Sequence, residues 1–134
     1  MVGIVLVTHG NIAKEMLAAA RAIVGDVEAF EAVSTDEGAQ DPDVRGRIRA
    51  AIEAADRGAG DLLVTDMFVG TPANVSLSFL SEKKIEVVTG ANLPMVLKLA
   101  TGRGDRSMGE LAAFICEYGK KNISVASALL QEPR

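Results

Sequence analysis

Apolar and polar positions follow two rhythms along this chain. Val2 to Val7 is an unbroken apolar run, as expected of a strand buried on both faces. Thr8-His9-Gly10 then turns the chain into a helical segment beginning near Asn11. Ile12, Met16, Leu17, Ala20, Ile23 and Val24 mark its apolar face, and Gly25 stops it. A weaker strand, Val27 to Val33, leads into the polar loop Ser34 to Gln40. Asp41-Pro42 opens a second helix, with Asp as cap and Pro in the first turn. Its buried stripe is Val44, Ile48, Ala51, Ile52 and Ala55, which leaves Arg45, Arg47, Arg49 and Glu53 in solvent. The arginines read as a solvated face, with docking to a partner as the alternative. Asp61 to Thr65 is a third strand ending at Asp66, and Thr71-Pro72 starts a third helix by the same cap-then-proline logic. Ile85 to Thr89 is a fourth strand, and Asn92 caps a helix running through Met95, Val96 and Leu99. After the polar break Gly102 to Arg106, Ser107 and Glu110 form a capping box. The helix that follows buries Leu111, Phe114, Ile115 and Tyr118 and closes at Gly119. Ile123 to Val125 predicts a short final strand, and residues 126–134 carry no assignable pattern.

Strands alternating with helices predict one α/β domain over residues 1–134. The expected form is three-layer and doubly wound, a mostly parallel sheet in flavodoxin-like strand order with a short C-terminal antiparallel strand. In that order strand 1 is central with strand 3 beside it, so His9 and Asp66 become neighbours at the carboxyl end of the sheet.

Composition narrows the chemistry. Aromatics are 4% with no Trp, and the net charge is -4, which together disfavour a nucleic-acid binder. The single cysteine, Cys116, cannot form an internal disulfide, lies in an apolar helix and reads as core; a cytoplasmic location is the natural expectation. No apolar run approaches the roughly 20 residues needed to span a bilayer, and no signal peptide is evident, so membrane contact is expected only through a partner. One histidine with scattered acids is too few ligands for a metal centre, and no cofactor is implied. A P-loop is absent, as are the glycine-rich first loop and aromatic platforms of a flavodoxin-like nucleotide binder.

His9 is the only histidine, and it ends the first strand where an open α/β sheet binds its ligands. A phosphohistidine site needs one neutral ring nitrogen open to phosphorus and the other donating to an acceptor that fixes the tautomer. Asp66 suits the second task. Gly10 and Gly70 let backbone approach the group closely, and Thr71 offers a hydroxyl at a helix start. Each residue also has an ordinary structural role: Asp66 ends a strand, Thr71-Pro72 starts a helix, the glycines serve turns and Asn92 is a cap first. Their convergence at one sheet end favours the chemical reading.

Three stretches carry a family resemblance: Val5 to Gly10 followed by Ala13 to Gly25, then Asp66-x-x-x-Gly70-Thr-Pro-x-Asn74, then Thr89 to Met95. In this order, and over Met1 to about Val125, the chain resembles the mannose-type (mannose/fructose/sorbose) enzyme IIA domain of the bacterial phosphoenolpyruvate-dependent sugar phosphotransferase system. The resemblance implies a phosphocarrier that accepts a phosphoryl group on His9 from the phosphocarrier HPr and passes it to an enzyme IIB. It implies Asp66 as the hydrogen-bond partner of the His9 ring and matches Thr71 to the family's serine or threonine near the phosphoryl group. Gly10, Gly70 and Asn92 are expected around that group from the residues themselves, Asn92 adding polarity second to its capping role. It further implies a homodimer formed by exchange of the C-terminal strand, Ile123 to Val125. Met67, Phe68, Leu93 and Met95 flank the site and suit contact with partners. No IIB domain follows the last strand, so IIB is expected to be a separate protein, with permease subunits as the only link to the membrane.

Two alternatives stay open on these residues: a regulatory module read through its phosphorylation state, and a phosphoryl donor subunit for dihydroxyacetone kinase. Thr8 and the Gly-Thr-Pro stretch lean toward the sugar type. A histidine phosphatase or mutase would place Arg before the nucleophile and use a second histidine; Thr8 precedes His9 and no second histidine exists.

Overall fold

A computed structural model of the protein describes residues 1–35, 43–82 and 84–131. Four strands, β1 (Gly3–His9), β2 (Phe30–Thr35), β3 (Asp61–Thr65) and β4 (Ile85–Thr89), form one sheet in the order β2-β1-β3-β4, and every pairing is parallel. The helices are α1 (Ile12–Val24), α2 (Val44–Ala55), α3 (Thr71–Leu77), α4 (Leu93–Thr101), α5 (Met108–Lys121) and α6 (Ala126–Leu130). No helix among the described residues is long and apolar enough to cross a membrane.

Successive residues of a strand point to opposite faces, and β1 is apolar at every step, so it feeds two cores. Ile4 and Leu6 pack with Leu17, Ala20, Val96, Leu99, Leu111 and Ile115 under α1, α4 and α5. Val5 and Val7 pack with Val44, Ile48, Ile52, Ala55 and Phe79 under α2 and the turn after α3. All five residues expected in the stripe of α2 are buried. Arg45 and Arg49 lie over the ring of the buried Phe79, 4.2 and 4.7 Å from its centre, and Arg49 is paired with Glu82. This arginine face therefore seals the second core as well as meeting solvent.

Several expectations change. Strand β1 runs on through Thr8 and His9, because both pair with β2 at Ser34 and Thr35. The buried stripe of α1 is Ala13, Leu17 and Ala20, while Ile12, Ile23 and Val24 are exposed; small residues let the helix lie close on the sheet and turn the larger ones outward. Strand β2 starts three residues late, at Phe30, because Ala29 takes a positive φ of 53° that breaks the extended run. Asp41-Pro42 lies outside the described residues, and Asp43 holds the cap position of α2. Gly70, not Thr71, is the cap position of α3, so Thr71 becomes the first helical residue. The capping box of α5 is present as expected, but Gly119 lies inside α5 and does not close it. A side-chain carbon at Gly119 would stand 2.4 Å from Met95 Sδ, so the glycine is there to let α4 approach. Phe114, Tyr118 and Cys116 are half-buried, the two rings stacking 6.0 Å apart beneath Arg106 and Lys98.

The predicted C-terminal antiparallel strand is not formed. Ile123 and Val125 are 76% and 70% exposed with no sheet neighbour, and the chain instead enters α6. An extended segment becomes a strand only where a ladder partner is present, and among the described residues none reaches it.

Arg103, in the polar break before α5, is 4% exposed. Its guanidinium donates to the carbonyls of Val2 (2.9 Å), Ala29 (3.0 Å) and Glu28, lashing the N-terminal ends of β1 and β2 together. Burial lowers its pKa from the usual value, and the nearby Glu28 offsets part of that. Arg103→Ala should lower the unfolding free energy by about 3 kcal/mol, because buried carbonyls lose a charged donor. Urea unfolding checks this: the midpoint should fall with little change in slope.

Candidate functional site

Two parallel neighbours carry the site. The pairing of β1 with β3 sets Val7 beside Thr65, so the residues leaving the two strands, His9 and Asp66, emerge together at the carboxyl end of the sheet. His9 Nδ1 lies 2.9 Å from Asp66 Oδ2, and the His9 backbone N–H donates to the same oxygen at 3.1 Å. The other carboxylate oxygen accepts the Met67 N–H at 3.1 Å. A carboxylate only accepts, so in the neutral imidazole Nδ1 carries the proton and the lone pair sits on Nε2. The imidazole is about one-third exposed and the Asp66 side chain is mostly buried, so the pair is anchored from below and open from above.

Gly70 faces that lone pair. Its φ is 100°, and a side-chain carbon there would stand 2.5 Å from Nε2 and 2.8 Å from Cε1. Both facts require glycine: the backbone is left-handed, and the space is occupied by the ring. Because Gly70 is the cap of α3, Nε2 lies at the mouth of this helix, next to the exposed Thr71. The loop is pinned by Thr65 Oγ1 donating to the Met67 carbonyl at 3.1 Å.

Thr8, just before His9, ties the end of β1 to the first turn of α1 and to β2. It is fully buried, its hydroxyl oxygen accepts the Ala13 N–H at 2.6 Å, and its carbonyl accepts the Thr35 hydroxyl at 3.1 Å. The first turn of α1 is thus capped from within β1, three residues before the cap position. Nothing in the usual cap spacing signals this contact, and reading the chain alone missed it.

The expected residues divide into two sets. His9, Asp66 and Gly70 are brought together, with Thr71 adjoining. Gly10 makes the turn with φ 50°, but its N–H already donates to the Thr35 carbonyl at 2.8 Å. Asn92 is committed at both ends of its amide: Oδ1 accepts the Met95 N–H and Nδ2 donates to the Gly119 carbonyl, each at 3.1 Å. Of the apolar flank, Met67 and Phe68 are exposed, Leu93 is half-buried, and Met95 is core. Val69 is exposed beside them, and Leu93 joins Ile12, Met16 and Ala19 in an open groove between α1 and α4. Among the described residues no group of three or more His, Cys, Asp or Glu side chains is placed to hold a metal.

Known proteins resemble this chain over most of its length. Residues 3–116 match the family described as PTS system fructose IIA component. The sorbose-specific EIIA component of the phosphotransferase system of Lacticaseibacillus casei is 35% identical over 115 residues, 84% of this chain and 81% of that protein. The mannose-specific EIIAB component of Escherichia coli K12 is 27% identical across 95% of this chain, which spans only 40% of that longer protein. Among solved structures, phosphotransferase system component EIIA from Streptococcus agalactiae superposes with a TM-score of 0.85 at 25% identity, over 96% of this chain and 99% of that one.

Gly70→Ala should push the imidazole off Asp66, because the added methyl group would occupy the space the ring now fills, on a backbone that already disfavours a side chain. The check is the slowly exchanging Nδ1–H proton in the NMR spectrum, expected in the parent chain and lost in the variant. Its survival would mean that the start of α3 yields instead.

Proposed function

This chain belongs to the enzyme IIA family of the sugar phosphotransferase system, and on that premise we propose that it relays a phosphoryl group on Nε2 of His9, taken from HPr and passed to an enzyme IIB. The observation that carries the reading is the His9–Asp66 pair with Nε2 turned to the mouth of α3. The Nε2 lone pair attacks phosphorus on the donor's phosphohistidine, the new N–P bond forms, and the donor imidazole leaves with the electrons of the old one. Positive charge gathers on the His9 ring as this happens, and Asp66 Oδ2, held on Nδ1–H, stabilises it. The proton on Nδ1 stays where it is throughout, so the bond can be broken again in the next transfer without a proton having to move. No bond to the sugar is made or broken by this chain.

Gly70 and the Thr71 hydroxyl would meet the phosphoryl oxygens. Gly10 serves by shaping the turn, since its N–H is spent on the sheet, and Asn92 supports the site indirectly by fixing the start of α4. The exposed Met67, Phe68 and Val69 and the neighbouring groove suit an apolar rim around a partner's phosphorylated residue. The protein would work in the cytoplasm, where the phosphorylated carriers are.

The same reading gives the C-terminal segment a role. Ile123, Val125, Leu129 and Leu130 are all exposed, and covering them with a second copy, by exchange of the segment around Ile123 to Val125, would supply the ladder partner that the single chain lacks.

Incubation with phosphoenolpyruvate, enzyme I and HPr should add one acid-labile phosphoryl group to the intact mass. His9→Ala should stay folded and gain none, and Asp66→Ala should be phosphorylated roughly 100-fold more slowly or worse. Labelling of His9→Ala would remove His9 from the relay, and an unchanged rate in Asp66→Ala would remove Asp66. Sedimentation should find a dimer in the parent chain and monomer in Val125→Asp; a monomeric parent would rule out the exchange.

A further inference from the structure

At the opposite end of the sheet, remote from His9, a second carboxyl group is buried without the donors that Asp66 enjoys. Asp61 opens β3 and is 4% exposed. Its Oδ1 is buried and has no hydrogen-bond partner. The point where a side-chain carbon of Gly3 would stand lies 2.3 Å from that oxygen and 2.7 Å from the Ala55 carbonyl oxygen, at the last turn of α2. Two acceptors therefore face each other across the bare Cα of Gly3, at the negative end of a helix. No donor among the described residues reaches Oδ1.

The charged groups around this spot offer little relief. From the end of α2 comes Asp56, a like charge; Arg57 follows it but turns its guanidinium to the carbonyls of Ala54 and Asp56. From β1 comes Gly3, and from β4 its partner Ile85, neither of them charged. Lys84, just before β4, contributes its carbonyl, which accepts the Asp61 N–H at 2.9 Å. Met108 of α5 covers the adjoining Gly60.

We propose that Asp61 holds its proton in the folded chain under mildly acidic conditions, where a free carboxyl has already lost it, and so forms a proton-dependent latch that closes the last turn of α2 onto the N-terminal ends of β1 and β3. The carboxyl proton is the donor that the unpartnered Oδ1 lacks, and it removes the cost of a buried, unsatisfied charge beside the carbonyl end of α2. Gly3 is the residue that makes room for the latch, since any side chain there would displace either the carboxyl or the helix end. Burial, followed by the charge and shared hydrogen bond of Asp56, pushes the Asp61 pKa from 3.8 up to about 6.

The sign follows from linkage. A carboxyl whose pKa is raised by folding binds its proton more tightly in the folded state than in the unfolded one. The latch is fully closed below the unfolded value and is lost as the pH rises through about 6. Glu82 and Glu110 have lowered pKa values, from the hydrogen bonds of Arg49 and of Ser107 respectively, and act in the opposite sense. The test must therefore isolate Asp61.

Carboxyl 13C NMR of the intact chain should show Asp61 titrating near 6, and Asp56→Asn should lower that midpoint by removing the like charge. In parallel, Tm is followed from about pH 4 to pH 8 for the parent chain and for Asp61→Asn, which keeps the shape and supplies N–H donors at every pH. The variant should gain roughly 5 °C or more on the parent across that range. An Asp61 midpoint in the ordinary carboxylate range, or parallel Tm profiles, would overturn the proposal. If Asp61→Asn fails to fold, the titration of the parent chain and of Asp56→Asn decides alone. Phosphorylation of His9 is not measured in any arm, so the outcome is independent of the relay.

Discussion

The parallel pairing of β1 with β3 is the constraint from which the rest of the site follows. Parallel strands need a crossover, and here α1, β2 and α2 intervene between β1 and β3, so that the two strands start and finish at the same ends. Their register leaves His9 and Asp66 emerging together, and a single carboxylate oxygen then holds both the His9 amide and its ring. A slip of one residue would turn the alternation of β1 inside out, sending Ile4 and Leu6 to the wrong core. Two well-filled cores therefore defend the geometry of a few polar atoms at the sheet end.

Much of this was legible in the sequence because it rests on local rules. The bounds of β3 and β4, the stripe of α2, the capping box of α5 and the Asn92 cap all follow from periodicity or cap spacing, and the structure agrees with each. The pairing of His9 with Asp66 was legible one level up, because strand order in a doubly wound sheet says which strand ends are neighbours. Long-range packing was not legible. Gly119 looks like a helix stop, yet it is a notch for Met95 from another helix. Arg103 sits in a stretch that reads as a polar loop, yet its head is buried among carbonyls from residues some 75 to 100 positions away in the chain. The Ile123 to Val125 segment has strand-forming residues but no partner among the described residues, and a strand is a property of a pair.

Glycine appears at both ends of the sheet for a reason that periodicity does not carry. At Gly70 the missing side chain is replaced by the edge of the His9 ring, and at Gly3 by the Asp61 carboxyl group. In each case a functional atom occupies the volume of a methyl group, so the glycine is specified by its neighbour more than by its turn. Gly70 needs a left-handed backbone as well, whereas Gly3 lies in a regular strand, where steric crowding alone excludes a side chain.

The two carboxyl groups that bracket β3 show how environment divides one functional group into two kinds of chemistry. Asp66 follows the strand and meets N–H groups from His9 and Met67, together with the ring Nδ1–H. A negative charge is solvated there by the protein itself, and it can steady a positive charge that comes and goes on the imidazole. Asp61 precedes the strand and meets a helix-end carbonyl, a second carboxyl and no side-chain donor, so it keeps its proton to higher pH than a free carboxyl would. The difference follows from sheet polarity. At the carboxyl ends of parallel strands the next helix begins and presents N–H groups, while at the amino ends the preceding helix finishes and presents carbonyls. An acid placed at the first kind of end is poised to act as a base for a neighbouring cation, and at the second kind it is driven to be neutral. On the proposed reading, the relay and the proton latch would therefore fall at opposite ends of one strand, each where the local dipoles favour its charge state.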